Sequence, residues 1–263
     1  MRDDALFCGI DAGSAASKCV IVDAHGAVVG RGVHGSGAGT QGPAKALAQA
    51  LQEAGASWDD VTRACATGYG RKLIEQASMH KSELSCHARA VGLMFPDART
   101  VIDIGGQDAK VLRLGDGGQL ETFAMNDKCA AGTGRFLEVM ARVFGCEVDE
   151  LSALDERSTE PVAVSSTCTV FAESEVISKM ASGIALEDIA AGVHEAVAER
   201  TAGLANRVGV VPQVVMTGGV AQNARLRARL ADKLGCEIAL PDEPQLCGAL
   251  GAALYARGAD RPC

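Results

Sequence analysis

Aromatic residues, basic stripes and long apolar runs are all scarce in this 263-residue sequence. Aromatic side chains make up 3% of the residues, so broad stacking surfaces for nucleobases are not expected. The formal charge of −8 also argues against nucleic acid, because proteins that grip a phosphate backbone carry clustered Lys and Arg. No window reaches the ~20 apolar residues of a membrane span, and no signal-peptide pattern opens the sequence. We therefore predict a cytoplasmic protein that binds neither nucleic acid nor membrane.

Paired cysteine motifs are absent, although the chain has ten cysteines. Without a C-x-x-C pair, a zinc ribbon, a thioredoxin-type site and a self-contained ferredoxin cluster are excluded. The chain is long enough for a substantial core and has no export signal, so reduced thiols are favoured over disulfides. Any metal site made from these cysteines must combine ligands that are far apart in the sequence.

Two common nucleotide-binding signatures are also missing, the P-loop G-x-x-x-x-G-K-[ST] and a G-x-G-x-x-G after the first strand. The sequence has an internal repeat instead. Residues 11–18 are D-A-G-S-A-A-S-K and residues 103–110 are D-I-G-G-Q-D-A-K, each between two β-rich runs. Each Gly-rich stretch predicts a hairpin turn, and the duplication predicts two lobes of similar design.

Strand and helix patterns alternate along the chain, which indicates an α/β protein. Strands are predicted at residues 6–10, 19–22, 27–33, 62–66, 100–104, 111–114, 119–124, 214–217 and 237–240. Helices are predicted at residues 43–54, 134–144, 169–181, 186–208 and 223–234. We divide the chain into an N-terminal lobe, residues 1–97, and a C-terminal lobe, residues 98–263, whose last helix is allowed to pack back on the first lobe.

The repeated turns carry the groups that bind a nucleoside triphosphate. Backbone N–H groups of Gly-rich turns approach phosphates closely, and carboxylates hold hydrated Mg²⁺. Asp11 and Asp103 are predicted to organise Mg²⁺, through its waters, and the attacking water, with Gln107 as a third catalytic residue. The predicted phosphate contacts are Gly13, Ser14, Ala15, Ala16, Ser17, Lys18, Gly105, Gly106 and Gln107. For Asp11, a turn-stabilising Asx role stays open as the alternative.

A third Gly-rich turn, residues 217–223 with the sequence T-G-G-V-A-Q-N, ends a predicted strand and opens a helix. Such a turn suits the nucleoside part of ATP or ADP. The further ATP contacts predicted are Gly132, Gly134, Gly218, Gly219, Gln222, Gln245 and Gly248. One Gly-Gly turn is usually an ordinary turn, but three together predict a single nucleotide cleft. The apolar neighbours Leu246 and Cys247 weigh against the contact from Gln245.

These motifs support a resemblance at two levels. The duplicated hairpins resemble the acetate kinase, sugar kinase, Hsp70 and actin superfamily, in which ATP lies between two lobes. Residues 126–136, N-D-K-C-A-A-G-T-G-R-F, and 165–178, S-S-T-C-T-V-F-A-E-S-E-V-I-S, are similar to the cysteine segments of the activators of 2-hydroxyacyl-CoA dehydratases. The resemblance runs from about residue 8 to about residue 256 and is looser in the amphipathic helices.

The resemblance implies a homodimer with one [4Fe-4S] cluster, held by Cys129 and Cys168 of each chain. Both cysteines are expected directly before helices, whose positive ends favour an anionic cluster. A two-fold axis would double two cysteines to the four that a cubane needs. By spacing alone, small buried hydrophobic residues are favoured for Cys129 and Cys168, and the flanking motifs reverse that preference. Cys86 and His87 form a further possible ligand pair, for which a structural role is favoured.

The resemblance also implies an ATPase that acts as a one-electron donor. Flavodoxin or ferredoxin would reduce the cluster, ATP would close the lobes, and the electron would pass to a 2-hydroxyacyl-CoA dehydratase component. Three alternatives stay open. The chain could be the ATP-hydrolysing subunit of a benzoyl-CoA reductase, a small-molecule kinase or a non-redox module switched by ATP.

Overall fold

A computed structural model describes residues 5–165 and 168–258 of the chain. These residues form two compact units. Unit 1 comprises the described residues of Met1–Asp97, Leu114–Leu120 and Gln245–Cys263, and unit 2 those of Ala98–Arg113 and Glu121–Pro244. None of the helices in the described part of the chain combines the length and apolarity needed to cross a membrane.

Unit 1 is built on a five-stranded sheet with the order β3-β2-β1-β4-β5. Its strands are β1 (Leu6–Ala12), β2 (Ser17–Val22), β3 (Val28–His34), β4 (Val61–Thr67) and β5 (Met79–His80). Its helices are α1 (Gly42–Glu53), α2 (Glu83–Met94) and α8 (Cys247–Gly258). Strand β1 pairs antiparallel with β2 and parallel with β4.

Both faces of this sheet are buried, which explains why its strands are apolar without alternation. Successive side chains of a strand point to opposite faces, so Phe7 joins the core formed with α8, and Cys8 the core formed with α1. Helix α8 is rich in Ala and Gly and packs closely on β1 and α2. The hairpin of unit 1 is thereby held between two layers of helices.

Unit 2 repeats this plan with the strand order β10-β9-β6-β7-β8. Its strands are β6 (Thr100–Ile104), β7 (Ala109–Leu114), β8 (Leu120–Asn126), β9 (Val214–Thr217) and β10 (Ile238–Ala239). Its helices are α3 (Gly134–Phe144), α4 (Glu150–Glu156), α5 (Thr169–Ala181), α6 (Leu186–Val208) and α7 (Ala224–Leu234). Strand β6 pairs antiparallel with β7 and parallel with β9, as β1 does with β2 and β4.

The two predicted hairpins and the duplicated α/β fold are confirmed. The predicted bounds of α3, α5, α6 and β9 agree with the structure. Helices α2 and α4 were not predicted. Helix α4 has only seven residues, and α2 buries the polar His87 beside Cys86, so neither shows a clear apolar stripe.

Candidate functional site

The turn of the first hairpin places a lysine beside an aspartate. Asp11 and Lys18 face each other across β1 and β2, and Lys18 Nζ donates to Asp11 Oδ2 at 3.0 Å. The four turn residues, Gly13, Ser14, Ala15 and Ala16, are half-buried. Ser17 is fully buried, and its hydroxyl donates to the carbonyl of Ser36 at 2.8 Å. Ser17 therefore anchors the loop after β3, and the Ala38 N–H of that loop donates to the Gly13 carbonyl at 2.8 Å.

The turn of the second hairpin carries the same pair in a more enclosed setting. Asp103 faces Lys110 across β6 and β7, and Lys110 Nζ lies 3.3 Å from Asp103 Oδ2 and 2.7 Å from Asp108 Oδ2. Thr217 Oγ1, from the end of β9, donates to Asp103 Oδ1 at 3.0 Å. At the tip, Gln107 is exposed. The carboxylate of Asp103 is thus held by residues from two neighbouring strands, β7 and β9.

The start of α3 closes on the second turn. The backbone N–H groups of Gly134 and Arg135 donate to the carbonyls of Gly105 and Gly106 at 2.9 and 2.8 Å. A Cβ on Gly134 would lie only 3.1 Å from the Gly105 oxygen, so this close approach requires glycine. The predicted residues Gly105, Gly106 and Gly134 therefore belong to one site.

The third turn begins next to Asp103. Gly218 has φ of +87°, and a Cβ there would lie 2.3 Å from the Ile104 oxygen and 2.9 Å from Asp103 Oδ1. A side chain at this position is excluded by both conformation and space. Gly219 and Gln222, in the short 3₁₀ helix that follows, are exposed. The second and third turns thus share the carboxylate of Asp103.

Two predicted residues lie in unit 1 rather than with the third turn. Gln245 is half-buried, and Gly248 lies in the first turn of α8. A Cβ on Gly248 would lie 3.3 Å from Asp11 Oδ2 and 3.2 Å from His87 Nε2. The structure thus groups Gly248 and the buried His87 with Asp11, which the sequence did not predict for His87.

Three residues around Asp103 were also not assigned from the sequence. Lys110 was part of the quoted repeat, and its position seven residues after Asp103 is the same as that of Lys18 after Asp11. That spacing is the signal that could have identified it. Thr217 lies 114 residues from Asp103, and Asp108 occupies the repeat position where the first copy has Ala16, so no local pattern indicated either contact.

The two motif cysteines differ in their positions relative to helices. Cys168 is the N-cap of α5, as predicted. Cys129 is not directly before a helix, because α3 has Thr133 as its N-cap. Instead, Asn126 holds the segment by accepting from the Cys129 N–H at 3.2 Å and donating to its carbonyl at 2.8 Å. Both cysteines are half-buried.

Buried thiols of unit 1 have a different character. Burial raises the pKa of Cys65 to about 11 and that of Cys86 to about 12. These thiols stay protonated near neutral pH, and a metal ligand must be a thiolate. Cys86 is fully buried in the core of unit 1.

Whether Mg²⁺ or an iron–sulfur cluster suits this protein depends on the donor side chains that are available. In the described part of the chain, no group of three or more His, Cys, Asp or Glu side chains could hold a metal ion. Hydrated Mg²⁺ needs only one or two carboxylates, so the chemistry of Asp11 in unit 1 and of Asp103 in unit 2 suits it through water, each carboxylate taken by itself. An iron–sulfur cubane needs four thiolates, and Cys129 and Cys168 of one chain supply two.

Known proteins share this sequence over most of its length. Residues 8–256 match the BadF/BadG/BcrA/BcrD ATPase family. The (R)-2-hydroxyglutaryl-CoA dehydratase activating ATPase of Acidaminococcus fermentans is 52% identical, covering 94% of this chain and 95% of that protein. The 2-hydroxyisocaproyl-CoA dehydratase activator of Clostridioides difficile is 50% identical, covering 94% and 93%. A benzoyl-CoA reductase subunit of Thauera aromatica is 37% identical, covering 78% and 74%.

Solved structures support the same relationship. The activator of the 2-hydroxyisocaproyl-CoA dehydratase from Clostridium difficile with bound ADPNP has a TM-score of 0.94 at 49% identity, covering 97% of this chain and 95% of that one. A glucokinase of the ROK family from Streptomyces griseus has a TM-score of 0.59 at 13% identity, covering 96% and 99%, and shows the shared fold alone. The predicted resemblance and the two-lobed kinase, Hsp70 and actin type of fold are confirmed, and this chain belongs to the BadF/BadG/BcrA/BcrD ATPase family.

Proposed function

We propose that this protein hydrolyses ATP to drive one-electron transfer to a 2-hydroxyacyl-CoA dehydratase. The observation that carries the proposal is the identity of 50–52% with two dehydratase activators over more than nine-tenths of both chains. The paired Asp and Lys residues of both hairpins supply the polar groups that ATP hydrolysis requires. The chain therefore has the parts expected of an activating ATPase.

In the proposed nucleotide site, the hairpins take different roles. Lys18 and the backbone N–H groups of residues 13–16 bind phosphate oxygens, with the buried Ser17 holding the turn in place, and Gln107 adds a side-chain contact from the second turn. Asp103 and Asp11 would hold the waters of Mg²⁺ when the ion is bound, and they orient the water that attacks the γ-phosphorus. The new P–O bond forms as the bond to the β-phosphate oxygen breaks, which releases ADP and inorganic phosphate.

The nucleoside is proposed to bind at the third turn. Gly219 and Gln222 are exposed there, and Gly218 lets the backbone pass close to Asp103. Gly132, Gly134, Gln245 and Gly248 complete the proposed ATP contacts. As a working division, we keep an N-terminal lobe of residues 1–97 and a C-terminal lobe of residues 98–263, whose last helix, α8, belongs to the compact unit of the first lobe.

Cys129 and Cys168 are the proposed ligands of a [4Fe-4S] cluster shared by two copies of the chain. When bound, such a cluster supplies a carrier for single electrons. Cys168 lies at the N-terminus of α5, where the helix dipole favours the negative charge of a thiolate or of an anionic group. Asn126 keeps the Cys129 segment in place through two hydrogen bonds.

The surface next to Cys168 supports a homodimer. Helix α5 exposes Val170, Phe171 and Ile177, with 66%, 70% and 51% of each residue accessible. Large apolar side chains grouped on one helix are typical of surfaces that another protein covers. A second copy at this face would bring together four cysteines and bury these side chains. Cytoplasmic flavodoxin or ferredoxin is the proposed electron donor, and the dehydratase component the acceptor.

The alternatives are less well supported. A benzoyl-CoA reductase subunit matches at 37% identity and over 74% of its length, both lower than for the activators. The kinase and the non-redox module rest on the fold alone, since the glucokinase is 13% identical. A redox activator also gives the two motif cysteines a role, which neither of those alternatives does.

Anaerobic purification followed by iron, sulfide and mass determination tests the cluster. We expect about two irons per chain in a dimer, as one shared cubane requires. Cys168→Ala should lose the iron while ATP binding is kept. Cys236→Ala, which changes a half-buried cysteine outside the two motifs, should keep it. Iron retained in the Cys168→Ala protein would contradict the ligand assignment.

A further inference from the structure

A buried polar network connects three helices of unit 2. His194 of α6 is fully buried. Its Nδ1 lies 2.7 Å from Asp155 Oδ2 of α4, and its Nε2 lies 2.9 Å from Nδ2 of Asn223, the N-cap of α7. Buried polar groups of this kind are costly unless each has a partner. The residues were not part of any motif assigned above, except that Asn223 ends the third turn.

The hydrogen bonds of Asn223 determine the protonation of His194. Asn223 Oδ1 accepts from the Leu226 N–H at 2.9 Å and so caps α7. The amide group that faces His194 is therefore the donor Nδ2, and Nε2 must accept. The ring proton then resides on Nδ1 and is donated to Asp155. These hydrogen bonds assign the ring one tautomer, with Nδ1 as the donor and Nε2 as the acceptor.

Asp155 is kept ionised so that it can hold this ring. Burial alone would raise its pKa, but hydrogen bonds from Arg229 and His194 outweigh burial and hold the pKa of Asp155 well below its usual range. Arg229 donates to both carboxylate oxygens, from Nε at 2.8 Å and from Nη2 at 2.6 Å. The Asp155 carboxylate is therefore paired with Arg229, and Arg225 Nη2 lies 3.5 Å from its Oδ1.

The polar network contacts the third turn at Asn223, the last residue of the turn. The start of the third turn is fixed by two hydrogen bonds. Thr217 donates to Asp103, and the Gly218 N–H donates to the Pro244 carbonyl at 2.9 Å. The far end is Asn223, fixed by His194. Between these ends lie the exposed residues Gly219 and Gln222. The turn is thus restrained at both ends by groups that do not themselves face solvent.

We propose that His194 is a positioning residue for nucleotide binding, which acts by holding Asn223 and so the turn that carries Gly219 and Gln222. Asp155 orients the imidazole ring, and the unprotonated Nε2 restrains the turn. The proposal rests on the proposed nucleotide site at this turn. It adds a residue that touches neither the nucleotide nor the hairpins.

Two substitutions of His194 separate its two hydrogen bonds. His194→Asn can place a donor where Nδ1 lies and keep the bond to Asp155, but it leaves Asn223 without its acceptor. His194→Gln can place an amide oxygen where Nε2 lies and keep the bond to Asn223. We expect His194→Asn to weaken ATP binding about tenfold, the size of one buried hydrogen bond, and His194→Gln to restore most of it.

Calorimetric ATP titration and thermal unfolding are measured on the full-length protein for both variants. A purely structural role would lower affinity in step with stability, so equal ATP affinities for the two variants would overturn the proposal. Lys233→Met is the matched control, because it removes exposed ion pairs between the same helices α6 and α7. Its ATP affinity should equal that of the wild type.

A third variant, Asn223→Asp, tests the proposal through the pH dependence of ATP affinity. Asn223→Asp keeps one side-chain oxygen to cap α7 and places a second oxygen where the Nδ2 donor faced Nε2. To donate to both Asp155 and this new carboxylate, the His194 ring must carry a proton on each nitrogen. The charged groups around the ring are then the Asp155 carboxylate of α4, paired with Arg229 and Arg225, and the introduced carboxylate beside Nε2. Only the introduced carboxylate is new, and it favours a second proton on the ring, so ATP affinity should fall as pH rises and that proton is lost.

An unchanged pH profile and affinity in Asn223→Asp would overturn the positioning role. If the wild type itself fails to bind ATP, the nucleotide site is wrong and the inference falls with it. If the wild type binds ATP and His194→Asn binds it equally well, only the inference is overturned.

Discussion

The two Asp and Lys hairpins share one register but differ in how their lysines are enclosed. In unit 1, the Lys18 side chain is 16% exposed and pairs with Asp11 at 3.0 Å. In unit 2, the Lys110 side chain is 5% exposed and lies between Asp103 and Asp108. The same eight-residue pattern has therefore produced an accessible lysine in one unit and an enclosed lysine in the other.

One position of the repeat explains the difference. The sixth residue is Ala16 in the first copy and Asp108 in the second. The added carboxylate leaves the Asp103, Asp108 and Lys110 group with a formal charge of −1, whereas Asp11 and Lys18 balance. An excess negative charge suits a hydrated divalent cation, and an accessible lysine suits phosphate. The two copies of the turn therefore differ in formal charge as well as in enclosure.

The largest effect is expected from Lys110→Met. This change leaves two buried carboxylates side by side without their cation, which should lower the free energy of unfolding by about 3–5 kcal/mol. Chemical denaturation measures the loss. Lys18→Met is the matched comparison in the other hairpin. Equal losses of stability in the two variants would contradict the difference in enclosure.

The two carboxylates of the second hairpin, Asp103 and Asp108, are expected to have different roles. We expect Asp103→Asn to lower kcat for ATP hydrolysis at least about 100-fold, because it loses the charge that orients water and Mg²⁺. Asp108→Asn should cost stability but leave kcat within a few-fold of the wild type. Steady-state ATPase assays compare the two. A loss of kcat in Asp108→Asn as large as that in Asp103→Asn would overturn the assignment.

For the first hairpin, Lys18→Met should act on nucleotide binding. The Lys18 side chain is 16% exposed, so the loss of its ion pair should cost about 1–3 kcal/mol of stability, less than the loss expected for Lys110. The loss of Lys18 should raise KM for ATP about tenfold through the missing phosphate contact. The measurement is KM alongside the unfolding midpoint. An unchanged KM would remove Lys18 from the phosphate site.

The smallest effect is expected when the first hairpin is made like the second. Ala16→Asp adds the third charged group of the repeat and should draw Lys18 away from phosphate. At a partly exposed site we expect a loss of ATP affinity of about two- to fivefold. Ala16→Ser controls for size without charge. Equal affinities for Ala16→Asp and Ala16→Ser would show that the sixth position does not set the difference.

The hairpins could be predicted because their determinants are local. Asp11 and Lys18 lie on neighbouring strands of one turn, so spacing alone sets them opposite each other. The bonds of Asp103 to Thr217 and of His194 to Asp155 join residues 114 and 39 positions apart, and no periodicity reports such contacts. Cys129 shows a further limit. Its motif indicated a ligand, but the turns before α3 displace it from the helix start.

The most direct test of the proposed function is activation of a 2-hydroxyacyl-CoA dehydratase under anaerobic conditions. The purified protein is reduced with a low-potential donor, mixed with a dehydratase component from a related activator system, and assayed with ATP, with ADP, and without nucleotide. We predict dehydratase activity only with ATP, and none from Cys168→Ala. Activity that is independent of ATP, or that survives in Cys168→Ala, would contradict ATP-driven electron transfer.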